Sequence, residues 1–221
     1  MRKVAIILAV GWALAAAGPP QGQSAPKPRI VPIRWELDFE HQTPQPITVV
    51  LRGENRPRTY WYLLYTVTNS TQADQIFVPS FVLYTDSGQV LHAGDKISTG
   101  VFAAIQKRHN NPHLRNVAAI TGRILQGQDN ARDGVAIWRD FDPRARAFDV
   151  FAGGLSGEQV KIKLPTPVQT TAKDDQGKTV TVTQSEAILS KTLQLKYAIP
   201  GEAPARARTG AKLLKKEWIM R

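Results

Sequence analysis

Residues Thr59 to Thr68 read Thr-Tyr-Trp-Tyr-Leu-Leu-Tyr-Thr-Val-Thr, an unbroken run of β-branched, aromatic and leucine side chains. Such residues suit a pleated ribbon and lose rotamer freedom in a helix. At a period of two, Trp61, Leu63, Tyr65 and Val67 share one face; Tyr60, Tyr62, Leu64, Thr66 and Thr68 share the other. A strand that is apolar on both faces needs cover on both. The run is therefore expected to be a central strand, ended by the turn chemistry of Asn69-Ser70-Thr71.

The rest of the chain adds shorter segments of the same kind. Ile30 to Phe39 alternates, with Ile33, Trp35, Leu37 and Phe39 in step, and Pro32 assigns it to a sheet edge because proline cannot donate to a ladder. Ile47 to Arg52 reads as a second strand. Gln75 to Thr85 and Gln89 to His92 flank Asp86-Ser87-Gly88, a hairpin signal. Ser98 or Thr99 can then cap a helix through Arg108, with Val101, Phe102 and Ile105 as its stripe and Asn110-Asn111-Pro112 as its stop. A short apolar turn at Leu114 to Ala119 leads into Ile120 to Leu125. Strands resume at Gly134–Trp138, ended by Asp140-Phe141-Asp142-Pro143, and at Ala147–Ala152 and Gln159–Leu164. Residues 168–184 read as a protruding hairpin, Leu189–Ile199 puts Leu193, Leu195 and Tyr197 in step, and Ala211–Arg221 reads as a last strand or, as the alternative, a short amphipathic helix. Many short strands with one short inserted helix near 99–108 predict a mainly β chain, a β-sandwich. No period of 20–50 residues repeats, which argues against a solenoid or propeller.

The two ends carry a different message. Arg2 and Lys3 precede an apolar run, Val4 to Ala17, that closes on Ala15-Ala16-Ala17. A positive start, a short apolar core and a small-residue end make residues 1–17 a secretory signal peptide, cleaved near Ala17. The run is too short to cross a bilayer as a helix of about 20 residues. The expectation is a periplasmic or extracellular protein with no membrane span after cleavage; the alternative is a leader left uncleaved as a short anchor. Residues 18–29, rich in Pro, Gln and Gly, read as a flexible linker, and residues 30–221 as a single β domain. The chain has no cysteine, so neither a disulfide nor a lipidated cysteine after the leader is available. Of the net charge of +11, much sits in the C-terminal stretch, where Lys191, Lys196, Arg206, Arg208, Lys212, Lys215, Lys216 and Arg221 face only Glu202 and Glu217. A basic segment, 206–221, can dock on an anionic polymer or keep a sheet edge soluble.

Three stretches together resemble bacterial exported immunoglobulin-like domains of the telokin-like sort. They are the aromatic strand ending Thr68-Asn69-Ser70-Thr71, the run Gly122-Arg123-Ile124-Leu125-Gln126-Gly127-Gln128 followed by Gly134-Val135-Ala136-Ile137-Trp138, and Phe148 to Leu155. In such domains the middle element usually carries Pro-Gly-Glu, where this chain has Gln126-Gly127-Gln128, and the helix at 99–108 is not typical. The wording also resembles uncharacterised exported proteins of planctomycete bacteria. The resemblance implies an immunoglobulin-like β-sandwich and export; it implies no activity and carries over no site residue.

Candidate chemistry is sparse. His109 and His113 have the four-residue spacing of two zinc ligands on a helix face. Pro112 lies between them and no Glu follows His109, so they read as exposed loop histidines, with His41 and His92 in unrelated segments. Asp129, Asp133, Asp140 and Asp142 offer hard oxygen ligands for calcium, but without alternating acidic spacing and with Arg132 among them; they read as turn residues. Gly153-Gly154-Leu155-Ser156-Gly157 resembles a nucleophile elbow only superficially, because Glu158 replaces the last glycine and a strand follows. Trp35, Trp61 and Trp138 read as core. No residue is assigned as catalytic, cofactor-binding or metal-ligating, and no cofactor is expected. The expected function is a non-enzymatic exported module of the cell envelope, binding or structural, whose partner is an unidentified protein or an anionic envelope polymer. The alternative is a hydrolase or carbohydrate-active accessory domain whose carboxylates, such as Asp140 and Asp142, converge in the fold. Nucleic acid is disfavoured by export and by the lack of basic-aromatic interleaving.

Overall fold

The computed structural model describes residues 25–173, 178–201 and 208–221. The expected leader, residues 18–24 of the linker and the first residues of the basic segment lie outside them. The strands are β1 (Asp38–His41), β2 (Gln45–Val49), β3 (Arg58–Thr68), β4 (Gln75–Phe77), β5 (Ser80–Thr85) and β6 (Val90–His92). Then come α1 (Thr99–Arg108), β7 (Arg115–Asn116), α2 (Val117–Ile120), β8 (Gly122–Ile124), β9 (Arg132–Arg139), β10 (Ala147–Gly153), β11 (Gln159–Lys173), β12 (Thr179–Ala198) and β13 (Lys212–Met220). The chain is mainly β, as expected, with 52% of the described residues in strands against 9% in helices.

Strand β3 is central. One edge pairs with β9; the other pairs with β1 and β2, which lie end to end and one residue out of register with each other. β7 closes this sheet by a short parallel pairing to β9. A second sheet runs β11-β12-β10-β5-β6, with β13 also on β12. Its antiparallel ladders place Leu193, Leu195 and Tyr197 opposite Ala152, Val150 and Phe148. The two sheets share one core: Tyr65 meets Phe81 with ring centroids 4.7 Å apart, and Trp61 meets the edge of Phe148 at 5.8 Å. Each aromatic taken out of water here contributes on the order of 2–3 kcal/mol.

The other face of β3 is covered by α1. Val101 and Ile105 pack on Tyr60, Tyr62, Leu64, Val135 and Ile137. Ser98 caps this helix by accepting from the Gly100 N–H, and Lys107 and Arg108 sit in its last turn, where they complement the helix dipole. Both faces of the aromatic run are thus buried, by a sheet on one side and a helix on the other.

Several segments depart from expectation. The first strand begins at Asp38 instead of Ile30, because residues 30–34 are exposed and only Glu36 makes a bridge, to Ser156. The expected strand Gln75–Thr85 is broken at Val78-Pro79: β4 leaves to pair with β8, since proline cannot continue a ladder. Pro26 and Pro28 are half-buried, and Arg29 is hydrogen-bonded into the domain, so residues 25–29 form a docked strap. The hairpin about 168–184 is present as the outer part of β11 and β12, whose register shifts between Lys163 and Val168, around two prolines.

Candidate functional site

The segment Trp35–Leu37 runs against Leu155–Gly157, held by Leu37 N–H to Leu155 O at 2.8 Å and Gly157 N–H to Trp35 O at 3.0 Å. Gly157 is required here, because a Cβ would come 2.5 Å from the Trp35 indole nitrogen. This pairing brings Glu36 and Glu158 to the same point at the end of the second sheet. Lys191, at the inward-facing position next to Leu193 on β12, meets them there.

The ammonium of Lys191 is 2.8 Å from Glu36 Oε2 and 3.5 Å from Glu158 Oε2, and 5.1 Å from the centre of the Trp218 ring. Lys191 is 2% exposed and Glu158 3%. A charge this deep survives only when paired. The pair also holds the strap. Glu158 Oε1 accepts from the Arg29 N–H at 3.1 Å, and Lys191 Nζ donates to the Arg29 carbonyl at 3.3 Å. One buried ion pair therefore engages both main-chain groups of a single residue, without using its side chain.

Beside this clamp lies a groove of about 620 Å³ between the strap and β13, walled by Pro26, Pro28, Trp218, Ile219 and Met220, with Glu36 and Lys191 at its base. No family model matches the chain, and it matches no curated protein and no solved structure.

The residues singled out from sequence go elsewhere. His109 is not an exposed loop residue: it caps the end of α1, and its Nε2 lies 2.8 Å from the Tyr62 hydroxyl. His113 is exposed. His41 and His109, though far apart in sequence, border one polar recess of about 250 Å³ with Glu40, Thr66, Asn111 and Asp133. The two imidazoles turn to different partners, since His41 Nδ1 faces the Gln42 carbonyl and the Tyr197 hydroxyl. Burial lowers the pKa of both, and the nearby charges of Lys216 and Arg108 act in the same direction on His41 and His109 respectively.

The four aspartates do not converge. Asp129 lies on an exposed turn. Asp133 accepts from Thr66 and Asn111, both at 2.8 Å. Asp140 accepts from the Trp61 indole at 3.1 Å, and Asp142 is held by the Arg144 guanidinium and backbone N–H, which bring its carboxyl down to about 2. Among the described residues no group of three His, Asp or Glu side chains is placed to hold a metal ion. Ser156 lies in a tight turn, where its Oγ accepts from the Glu158 N–H. Gly154 in that turn has φ +83°, and a Cβ there would meet the Val78 carbonyl oxygen at 2.2 Å.

Residues 212–220 of the basic segment are β13, in line with the strand reading of Ala211–Arg221. Register sets Lys215 beside Lys196 on the outer face and Lys216 beside Leu195 on the inner. Lys215 is further tied to Glu217 at 2.8 Å. Lys212 lies opposite Ala198, on the same outer face as Lys196 and Lys215. Among the described residues no helix is long and apolar enough to cross a membrane.

Sequence reading missed the Lys191 cluster. One signal was available: Lys191 occupies the same face as Leu193, Leu195 and Tyr197. A lysine in a core-facing row implies a buried partner.

Proposed function

We propose that this chain is an exported, non-enzymatic binding module of the cell envelope, built on an immunoglobulin-like β-sandwich, whose ligand is a polypeptide segment in extended conformation. Export rests on the leader at residues 1–17. The sandwich reading is supported by two antiparallel-dominated sheets sharing one core.

The observation that carries the ligand assignment is the clamp on Arg29. Lys191 and Glu158 engage a peptide N–H and C=O, as a neighbouring strand would, and they do so beside a groove that Pro26, Pro28 and Trp218 line together. Extended peptides bind sheet proteins by main-chain hydrogen bonds with side-chain pockets alongside, and proline-rich ones dock on aromatic grooves because they are already extended. Between the two partner types expected from sequence, a clamp on main-chain N–H and C=O groups favours a protein, since an anionic polymer without peptide groups offers it nothing to bind.

The test uses a chain beginning at Ile30, which leaves the clamp open, titrated with a synthetic peptide of residues 25–29 while Trp218 fluorescence or heat is followed. Saturable binding is expected, and its loss in Lys191→Met and Glu158→Gln. No binding to the open groove by a folded chain overturns the reading.

A further inference from the structure

The stretch that leads from the strap toward β1 interleaves basic and apolar side chains: Arg29-Ile30-Val31-Pro32-Ile33-Arg34-Trp35. We propose that this stretch, with the neighbouring Lys161 and Ile188, is a docking surface for an anionic lipid bilayer, on which the domain rests without spanning it.

The first observation is apolar exposure gathered in one place. Ile30 is 100% exposed, Val31 75%, Ile33 56% and Ile188 57%. Trp35 joins them: its ring packs on Gly157, and it lines one recess with Ile33 and a second with Ile188 and Lys161. Lys161 and Ile188 are cross-strand neighbours on β11 and β12. Single exposed apolar residues are ordinary, but several on one surface mark an association site.

The second observation is charge of one sign. Lys27, Arg29, Arg34 and Lys161 are all exposed, and among the described residues none of them is ion-paired. The carboxylates that line the two recesses and the strap groove are Glu36 and Glu217. Each is taken up by a lysine at 2.8 Å, Glu36 by Lys191 and Glu217 by Lys215. The charge left facing outward is positive.

A bilayer matches both features. Apolar side chains enter the boundary between headgroups and acyl chains, Lys and Arg stay at the phosphates, and a half-buried tryptophan suits the headgroup level. Positive charge without counter-charge is drawn to an anionic leaflet. Ile30 and Val31 touch almost nothing of the domain. A fluid interface takes in such side chains in any rotamer, whereas a protein partner needs a pocket shaped to receive them.

The chain beginning at Gly18 tests this, because the apolar leader would bind lipid by itself. It is sedimented with vesicles of phosphatidylglycerol and phosphatidylcholine in equal parts, or of phosphatidylcholine alone. Binding is expected to be at least about tenfold tighter to the anionic vesicles and to weaken as salt is raised. Ile30→Ser/Val31→Ser/Ile33→Ser and, separately, Arg34→Gln/Lys161→Gln each weaken it by about tenfold or more, while circular dichroism shows that both variants fold. Lys212→Gln/Lys215→Gln, on the outer face of β13, leaves it unchanged. The chain has no cysteine, so Ile33→Cys can carry a single polarity-sensitive dye. Its emission moves to the blue on anionic vesicles, and the same dye at Val50→Cys, an exposed position outside this surface, does not respond. Three results overturn the proposal: a folded chain that binds neither vesicle, which leaves the surface to a protein partner; equal binding to both vesicles; or binding that survives the two surface variants and is lost in the β13 variant.

Discussion

The Lys191 ammonium lies 3.5 Å from the Glu158 carboxylate, and both are almost wholly removed from water. Glu36 approaches the same ammonium from a segment of the other sheet's edge. Three distant parts of the sequence thus meet in one charged cluster, and the strap is held by it.

Removing one member should cost more than the pair is worth, because it leaves a buried charge unpaired. Lys191→Met is expected to lower unfolding free energy by about 3–5 kcal/mol. Combining it with Glu158→Gln should recover part of that loss. Urea denaturation followed by circular dichroism measures both; a loss below about 1 kcal/mol for Lys191→Met would place the cluster in solvent and contradict its burial.

Tyr65 buries its hydroxyl against Gly134 of β9 with no protein hydrogen-bond partner. Burial raises its phenol pKa above the ordinary value. Tyr65→Phe removes an unsatisfied polar atom and keeps the ring contacts with Phe39 and Phe81. Stability should rise by about 1 kcal/mol. A destabilised variant would mean that the hydroxyl has a role not visible in its surroundings.

His41 and His109 both have folded pKa values below the ordinary 6.5. The unfolded chain then takes up protons before the folded one does, so the stability these groups contribute is present above pH 6.5 and lost as pH falls through their folded values. Melting temperature should drop between pH 7.5 and pH 5, and the drop should be smaller in His41→Gln/His109→Asn. An equal drop in that variant assigns the acid sensitivity to other groups.

The outer parts of β11 and β12 pair only with each other, and the side chains described there are largely exposed. A two-stranded ribbon is marginal in water. Amide exchange by mass spectrometry should show residues 168–171 and 181–184 exchanging much faster than 193–197, which lie between β10 and β13. Equal protection would mean that a further layer covers the ribbon.

Alternation was enough to find most strands. The faces of β3, the Asp86-Ser87-Gly88 hairpin, the Ser98-capped helix and the last strand all follow local rules of period, turn and cap, which act within about ten residues. Misjudged points were those where a long-range contact overrides local pattern. Ile30 and Ile33 alternate like strand residues but have no neighbouring strand to pair with. Val78-Pro79 divides one apolar run between two sheets. Ala25–Arg29 has linker composition, yet it is held because two side chains far along the chain bond its backbone.

By itself, then, the sequence determined that the chain is mainly β, that Thr59–Thr68 is its central strand and that one short helix interrupts the strands. Those outcomes depend on side-chain shape and on the spacing of apolar residues along the backbone. Tertiary structure alone decided that Glu36, Glu158 and Lys191 form one site and that the strap lies across it. Convergence of charges from separate segments depends on how sheets stack and in which register, and the cost of burying a charge is settled only by what arrives beside it.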